Sequence, residues 1–356
     1  MAYTTINKPN LYFDTQLWTG TNASGRTFTG LNFQPDFIWN KCYNSSNYYF
    51  NIVDIVRGGT KFLATSVTSV EDTASHGQIT SWNSNGTTWA DGTNATYPRL
   101  YYNDGAGSTL GGSAYVSWNW SCGGTGVSNT AGSITSTVSA NQTAGCSIVS
   151  FTTIAGGNAT IGHGLGSVPK MIIMKARDQT YNWDIYHVSI GNANRLTFTT
   201  AASAATPCWG STTPTSSVFT MDQSFYGSGI PTIAYCFAEI KGYSKFGSYA
   251  GNNALDGTFV YTGFSPSFVL VKRYGGGAQN WVIYDDKRNT YNVTNSTLRP
   301  NTAAAEATNN AVDLLSNGFK FRSNDGDSNG YSDGYIYMAF AENPFVSSTQ
   351  IPTTAR

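Results

Sequence analysis

The sequence predicts an all-β protein, and three observations carry that prediction. Aromatic residues make up 14% of the 356 residues, led by 22 Tyr, and such side chains fit the pleated surface of a strand. The 38 glycines supply the positive φ angles that tight turns require. Glutamate, a good helix former, occurs only at Glu71, Glu239, Glu306 and Glu342. Short strands joined by tight turns account for this composition better than helices do.

Four elements recur in the same order three times along the chain, with a period near 100 residues. The first is a proline that leads into an apolar strand ending in lysine, at residues 33–41, 167–175 and 264–272. The second is a strand that an aromatic residue opens, at 50–54, 183–187 and 281–285. The third is a turn containing serine, at 84–87, 216–219 and 316–319. The fourth is a long aromatic closing strand, at 115–120, 232–237 and 335–340.

These repeats predict three tandem copies of a small antiparallel β-sandwich-like domain. We place the copies at residues 1–123, 146–243 and 244–356. Residues 124–145 consist almost entirely of Gly, Ser, Thr, Asn and Ala, which predicts an exposed, extended linker. The only helical turns that we expect lie around Asp54 to Arg57 and within the Ala-rich stretch 303–315.

The net charge of zero and the low charged fraction of 11% argue against a nucleic-acid partner, because phosphate binding requires a basic surface. The chain shows neither a signal peptide nor an apolar run long enough to span a bilayer. We therefore expect no membrane insertion and synthesis in a reducing cytoplasm. The five dispersed cysteines (Cys42, Cys122, Cys146, Cys208 and Cys236) then predict five free thiols.

Three stretches of the sequence are similar to a family of phage virion proteins: residues 132–141 (GSITSTVSAN), 237–246 (FAEIKGYSKF) and 340–345 (FAENPF). This family is widespread in bacteriophages of marine bacteria, including cyanophages, and its members are described as tail-fibre-like or structural. The resemblance implies a virion component and supplies no catalytic residues. This chain departs from the pattern at Phe50, where the other two copies have Trp.

The residues that could carry catalysis have simpler structural explanations. Glu239 and Glu342 could form the carboxylate pair of a glycosidase, but both occupy the same position just after a closing strand. His187 stands where the other copies have Asp54 and Asp285, which indicates a local structural variant. The lysines that end the first element (Lys41, Lys175 and Lys272) are expected to pair with those aspartates. We therefore expect no enzyme and no obligatory cofactor.

One loop resembles part of a calcium-binding loop in its sequence. Asp325, Asp327, Asn329 and Asp333 have the spacing of the first half of a calcium-binding loop, although Ile336 stands where the bidentate Glu belongs. The same residue types also suit a hairpin loop, so calcium stays an alternative to a purely structural turn.

The first copy carries an aromatic insertion at residues 89–112, between its turn and its closing strand. If the three copies share a scaffold, function should lie where one copy breaks the pattern. The alternative is that this loop packs back on its own domain or into an oligomer interface. The candidate binding residues are Trp82, Trp89, Tyr97, Arg99, Tyr101 and Tyr102, and we expect them to be exposed.

The function that the sequence favours is a non-enzymatic structural protein of a virion, a tail-fibre or spike component that contacts a host surface glycan or protein. A capsid decoration, head-fibre or neck appendage protein is the alternative, and a glycan-degrading enzyme is the third. Other virion proteins are the expected partners. Symmetric multiplicity makes weak sites avid, so we also expect a homotrimer.

Overall fold

The computed structural model describes residues 4–105 and 112–346, and almost all of its regular structure is β-strand. The described residues contain 27 strands and two short 3-10 helices, Pro9–Leu11 and Gln223–Phe225. The all-β prediction is therefore confirmed.

The strands fall into three groups, which we call the first, second and third lobes. The first lobe consists of β1 (Phe13–Thr19), β2 (Arg26–Phe28), β3 (Phe37–Cys42), β4 (Asn51–Asp54), β5 (Lys61–Ala64), β6 (Asp72–Thr73), β7 (Gln78–Asn83), β8 (Gly86–Ala90) and β9 (Ala114–Trp120). The second lobe consists of β10 (Val127–Asn129), β11 (Ser136–Asn141), β12 (Cys146–Thr152), β13 (Asn158–Gly162), β14 (Pro169–Ala176), β15 (Asp184–His187), β16 (Asn194–Arg195), β17 (Ala204–Ala205), β18 (Val218–Asp222) and β19 (Pro231–Ala238). The third lobe consists of β20 (Ser244–Ala250), β21 (Phe259–Tyr261), β22 (Phe264–Arg273), β23 (Trp281–Asp285), β24 (Thr294–Thr297), β25 (Ala307–Leu315), β26 (Gly318–Phe321) and β27 (Gly334–Pro344).

Each lobe has an inner sheet with one strand order: opening strand, closing strand, lysine strand, aromatic strand. That order is β1-β9-β3-β4 in the first lobe, β12-β19-β14-β15 in the second and β20-β27-β22-β23 in the third. All of these neighbours pair antiparallel. A second, outer sheet accompanies each inner one: β2-β8-β7, β13-β18 and β21-β26-β25-β24.

The inner sheets are buried on both faces because their two faces serve two different cores. Successive side chains of a strand point to opposite sides. In β22, Val269 and Val271 point into the core of the third lobe, whereas Phe268 and Leu270 point into a central core. All three inner sheets contribute alternate residues to that central core in this way.

Aromatic rings from different lobes meet in the central core. The ring of Phe37 stacks on Tyr235 of the second lobe, with centroids 4.4 Å apart. Phe13 stacks on Phe340 of the third lobe at 5.1 Å. Aromatic side chains bury large areas, so separating the lobes would expose much apolar surface to water. The three lobes therefore form one body.

The predicted linker at 124–145 is wrong, because this segment forms two strands of the second lobe's inner sheet. Strands β10 and β11 form a hairpin that extends the sheet at β12. Val138 is buried, and the hydroxyls of Ser136 and Ser139 donate to the carbonyls of Gly162 and Cys122 (2.9 and 2.8 Å). Ser and Thr suit such a sheet margin, where small side chains find backbone acceptors.

The two predicted helical turns are also not helices. The stretch 303–315 contains β25, which pairs with β24 and β26 and buries Val312 and Leu314. Tertiary pairing here overrides the helix preference of alanine. The segment after β4 is a turn, in which the Asp54 carboxylate accepts the backbone N–H of Arg57 (2.8 Å).

The expectation of five free thiols is wrong as well. Cys122 and Cys146 form a disulfide, while Cys42, Cys208 and Cys236 are free and buried. Cys122 follows closing strand β9 and Cys146 opens β12. Because the β10–β11 hairpin returns the chain between them, the two Cα atoms lie 5.0 Å apart.

Candidate binding surface

The aromatic insertion of the first lobe packs against the chain around β6 and does not extend freely into solvent. Three backbone N–H groups of the insertion donate to carbonyls of residues 74–76: Thr93 to Ala74 (2.9 Å), Asn94 to Ser75 (2.8 Å) and Tyr101 to His76 (3.1 Å). A Cβ at Gly92 would lie 2.3 Å from the Ser75 carbonyl oxygen, so this close approach requires glycine. Residues 106–111 of the predicted insertion lie outside the described residues.

An ion pair fixes the side chain of Arg99. Its Nε and Nη2 donate to the two carboxylate oxygens of Asp91 (2.9 and 2.7 Å), and its Nη1 donates to the Asn22 carbonyl (3.0 Å). The hydroxyls of Tyr102 and Ser24 also donate to Asp91 (2.8 and 3.0 Å). Arg99, above all, lowers the pKa of Asp91 to about 2. The carboxylate is therefore ionised, and the bidentate geometry holds Arg99 in place.

The expected exposure is wrong for five of the six candidate residues, because only Tyr97 is exposed and two of the others are buried. Trp89 is 4% exposed and Tyr102 is fully buried, and their rings stack at 5.3 Å within the first lobe's core. Trp89 lies at an inward position of β8. Trp82 and Tyr101 are partly buried against the same core. These four residues therefore support the lobe.

Tyr97 is the exposed member of the set, at 53%. The Asn94 side chain accepts the backbone N–H groups of Thr96 and Tyr97 (2.9 and 2.8 Å), and a ring nitrogen of His76 bonds the Tyr97 carbonyl (2.9 Å). The backbone is thus fixed where the ring reaches solvent. Tyr97, with Arg99 two residues on, forms the candidate binding surface.

The four residues of the proposed calcium loop make other bonds. Arg299 donates to Asp327 (2.9 Å) and Arg273 donates to Asp333 (2.9 and 2.5 Å). The Asn329 side chain bonds backbone groups of residues 252–258 and 323. Asp325 accepts the backbone N–H of Asp327 (2.8 Å), as in a tight turn. The described residues contain no group of three His, Cys, Asp or Glu side chains placed to hold a metal, so the calcium expectation is not supported.

The expected pairing of the strand-end lysines with aspartates is wrong. Each lysine ammonium donates to backbone carbonyls: Lys41 to those of Ser45, Tyr48 and Ala303, Lys175 to those of Ala176 and Gln179, and Lys272 to those of Thr200 and Gln279. Burial lowers the pKa of Lys41 and of Lys175 to about 8 and that of Lys272 to about 7.

Arginines hold the aspartates instead. Arg57 pairs with Asp54 (2.5 Å) and Arg288 pairs with Asp285 (2.6 Å), in both cases three residues along the chain. His187, at the corresponding position of the second lobe, is fully buried, and burial lowers its pKa to about 4. The imidazole is therefore neutral at pH 7 and bonds the Tyr337 carbonyl (3.2 Å). These groups stabilise contacts between lobes, which supports the structural interpretation of His187.

Two comparisons return nothing: neither the curated proteins nor the solved structures include a significant match to the chain. Among the described residues, no helix has the length and apolarity needed to cross a membrane. Residues 8–344, nearly the whole chain, match the family described as a domain of unknown function (DUF7483). The chain therefore belongs to that family.

Proposed function

We propose that this protein is a non-enzymatic structural component of a phage virion, a tail-fibre or spike part that contacts the host surface. The sequence resemblance to virion proteins of marine bacteriophages motivates the virion location. All three stretches that carry it lie in or beside inner-sheet strands: 132–141 contains β11, 237–246 runs from the end of β19 into β20, and 340–345 includes the end of β27. They therefore belong to the scaffold that holds the lobes together.

The observation that carries the host-contact part is the fixed presentation of Tyr97. The chain between the outer sheet and the closing strand is longest in the first lobe, at 91–113, against 223–230 and 322–333 in the others. In this segment Tyr97 is exposed, and Arg99, two residues on, is fixed by its ion pair with Asp91. Rigid aromatic anchors with two χ angles bind at low entropic cost. A host glycan or protein would meet a preorganised surface here.

The single body made by the central core suits a virion part, because a load on one lobe passes directly to the others. Stacked rings such as Phe37 and Tyr235 would have to separate before the lobes could move apart. The partners we propose are other virion proteins on one side and the host surface on the other, with the chain assembled as a homotrimer.

The virion location is tested by electron microscopy of purified particles of the encoding phage, labelled with a gold-conjugated antibody against the chain. Label on tail fibres or spikes is the expected result. Label on the capsid or neck would replace the tail assignment with a decoration role, and unlabelled particles would exclude the virion.

The host contact is tested separately with particles that carry Tyr97→Ala. We expect slower adsorption to host cells, while particle yield stays unchanged because Tyr97 is half exposed. Tyr291→Ala is the matched control, since Tyr291 is 79% exposed on the third lobe. Equal adsorption rates for the two variants would refute a role of Tyr97 in attachment.

A further inference from the structure

The second lobe contains a small open pocket that the Tyr97 surface does not involve. It lies between the loop that precedes β15 and the 3-10 helix Gln223–Phe225. Its volume is about 210 Å³, enough for one small ring-shaped ligand. The pocket is lined chiefly by Tyr181, Asn182, Asp184, Arg195, Phe225 and Tyr226.

Aromatic rings form one wall of this pocket. Tyr181 is 41% exposed and stacks on the buried ring of Tyr226, with centroids 5.4 Å apart. Behind Arg195, the ring of Phe225 lies 4.7 Å from the guanidinium carbon. The stack holds Tyr181 in one orientation with part of its ring facing solvent. Such a ring offers an apolar face together with a polar hydroxyl edge.

The polar groups of the pocket are positioned but only partly used. The Asp184 carboxylate accepts one N–H of Arg195 and the hydroxyl of Tyr226 (2.5 Å). Arg195 makes no further side-chain hydrogen bond to the described residues, so most of its five N–H donors are unengaged. Arg99, by contrast, uses Nε, Nη1 and Nη2. The Asn182 amide likewise makes no side-chain hydrogen bond within the described part of the chain.

These features together match one chemical class. A pyranose ring has an apolar C–H face that stacks on an aromatic ring, and hydroxyls that both donate and accept. The pocket supplies donors from Arg195 and both a donor and an acceptor from Asn182, whereas the buried Asp184 carboxylate serves as the counter-charge of Arg195. Arg195 and Asp184 carry opposite charges, so the pair is neutral as a whole and offers no net positive charge to an anionic ligand.

We propose that this pocket is a binding subsite for a neutral sugar ring. The proposal goes beyond the host contact at Tyr97, because it concerns another lobe and a defined ligand class. It does not depend on the virion location and is tested on the purified chain. A single shallow subsite should bind with a dissociation constant on the order of 1 mM.

The experiment is saturation-transfer NMR of the full chain with the methyl glycosides of glucose, galactose, mannose and N-acetylglucosamine, followed by titration of each binder. We expect at least one to bind. Tyr181→Ala and Asn182→Ala should each weaken binding about tenfold, with little change in thermal unfolding for Tyr181→Ala because its ring lies at the surface, 41% exposed. Tyr291→Ala is the control and should bind like the wild type.

Two further arms distinguish the possible forms of the ligand. Linear tetrasaccharides of each binding sugar should bind more tightly than the monosaccharide if the natural ligand is a glycan chain, and equally if it is a free sugar. The methyl glycoside of glucuronic acid tests the charge argument. The proposal is overturned if no neutral glycoside binds, if glucuronic acid binds best, or if both pocket variants bind like the control.

Discussion

Trp118 of the first lobe donates its indole N–H to the Asp285 carboxylate of the third lobe, with 3.2 Å between Nε1 and Oδ2, and both side chains are fully buried. The same carboxylate accepts Nε of Arg288 (2.6 Å). The tryptophan of the first lobe therefore adds a hydrogen bond to the buried Asp285–Arg288 ion pair of the third lobe. A buried carboxylate needs such donors, because desolvation without hydrogen bonds is costly.

A corresponding contact joins the second lobe to the first. The hydroxyl of Tyr235, which occupies in β19 the position of Trp118 in β9, donates to Asp54 of the first lobe (2.7 Å). At the remaining boundary the closing strand has Met338, which cannot donate, and His187 bonds the backbone of the adjacent Tyr337. The substitution of His for Asp is thus matched by a substitution in the strand that faces it.

The first prediction concerns Tyr235. We expect Tyr235→Phe to lower the free energy of unfolding by about 1–3 kcal/mol, because it leaves the buried Asp54–Arg57 pair with one donor fewer. Tyr243→Phe is the matched control: the Tyr243 hydroxyl is buried and finds no hydrogen-bond partner among the described residues. Urea unfolding of both variants checks this. Equal stability of the two variants would show that the Tyr235 hydroxyl contributes nothing across the boundary.

The second prediction is a pH dependence caused by Lys272. Burial lowers its folded-state pKa to about 7 from 10.5, so at intermediate pH the unfolded chain binds a proton that the folded chain lacks. The unfolding free energy should therefore rise with pH above 7, by up to about 1.4 kcal/mol per pH unit for this group. Below pH 7 both states are protonated and this contribution levels off at its minimum.

The Lys272→Met variant has no titratable group at this position, so it lacks this contribution to the pH dependence. Its unfolding free energy should rise less steeply than that of the wild type between roughly pH 7 and 9.5, below the range where unfolded tyrosines ionise. Lys8→Met changes an exposed lysine and should follow the wild-type slope. Parallel curves for Lys272→Met and the wild type would mean that the buried ammonium keeps its proton in the folded state.

The lysine strands illustrate how far the sequence predicts this fold. A proline, a run of apolar residues and a terminal Lys correctly locate β3, β14 and β22. The partners of the lysines were not predictable, because the acceptors are backbone carbonyls of loops and of neighbouring lobes: Lys41 reaches Ala303 and Lys272 reaches Thr200. Carbonyls are present at every residue, so no residue type marks them.

The candidate binding surface was likewise only partly predictable from the sequence. The length and composition of the first-copy insertion identify an unusual segment, but they do not tell a buried ring from an exposed one. Trp89 continues the alternation of β8 into the core, whereas Tyr97 follows the Asn94 turn. The second-lobe pocket was missed because Tyr181 and Arg195 precede and follow β15 at a distance, and Tyr226 comes from beyond β18.

The third prediction distinguishes the buried candidate binding residues, Trp89 and Tyr102, from the exposed one, Tyr97. Trp89→Ala and Tyr102→Ala should each destabilise the protein by about 3–5 kcal/mol, since they open cavities in the first lobe's core. Tyr97→Ala should change stability by less than about 0.5 kcal/mol. Thermal unfolding measures all three. A large loss of stability in Tyr97→Ala would make that ring part of the scaffold and remove it from the binding surface.

The fourth prediction is assembly. Leu255, Phe259 and Tyr261 are 44–69% exposed around the outer sheet of the third lobe, and a neighbouring chain could cover them. We expect light scattering at micromolar concentration to return about three times the chain mass of 38.2 kDa. Phe259→Lys should shift the mass towards the monomer without unfolding the chain. A monomeric wild-type protein would contradict the homotrimer.

The fifth prediction concerns the Cys122–Cys146 disulfide. The bond closes a loop with a sequence separation of 24 residues, and cross-linking such a loop restricts the unfolded chain by about 3 kcal/mol. Cys122→Ala/Cys146→Ala should lose about that much stability under oxidising conditions, whereas Cys208→Ala, which removes a free buried thiol, should lose less.

Thiol titration of the denatured, non-reduced protein should find three thiols in the wild type, from Cys42, Cys208 and Cys236. With dithiothreitol added before unfolding, the wild type should fall towards the stability of the double variant. Five titratable thiols in the oxidised wild type would show that the two sulfurs meet without bonding and that the β10–β11 hairpin alone brings them together.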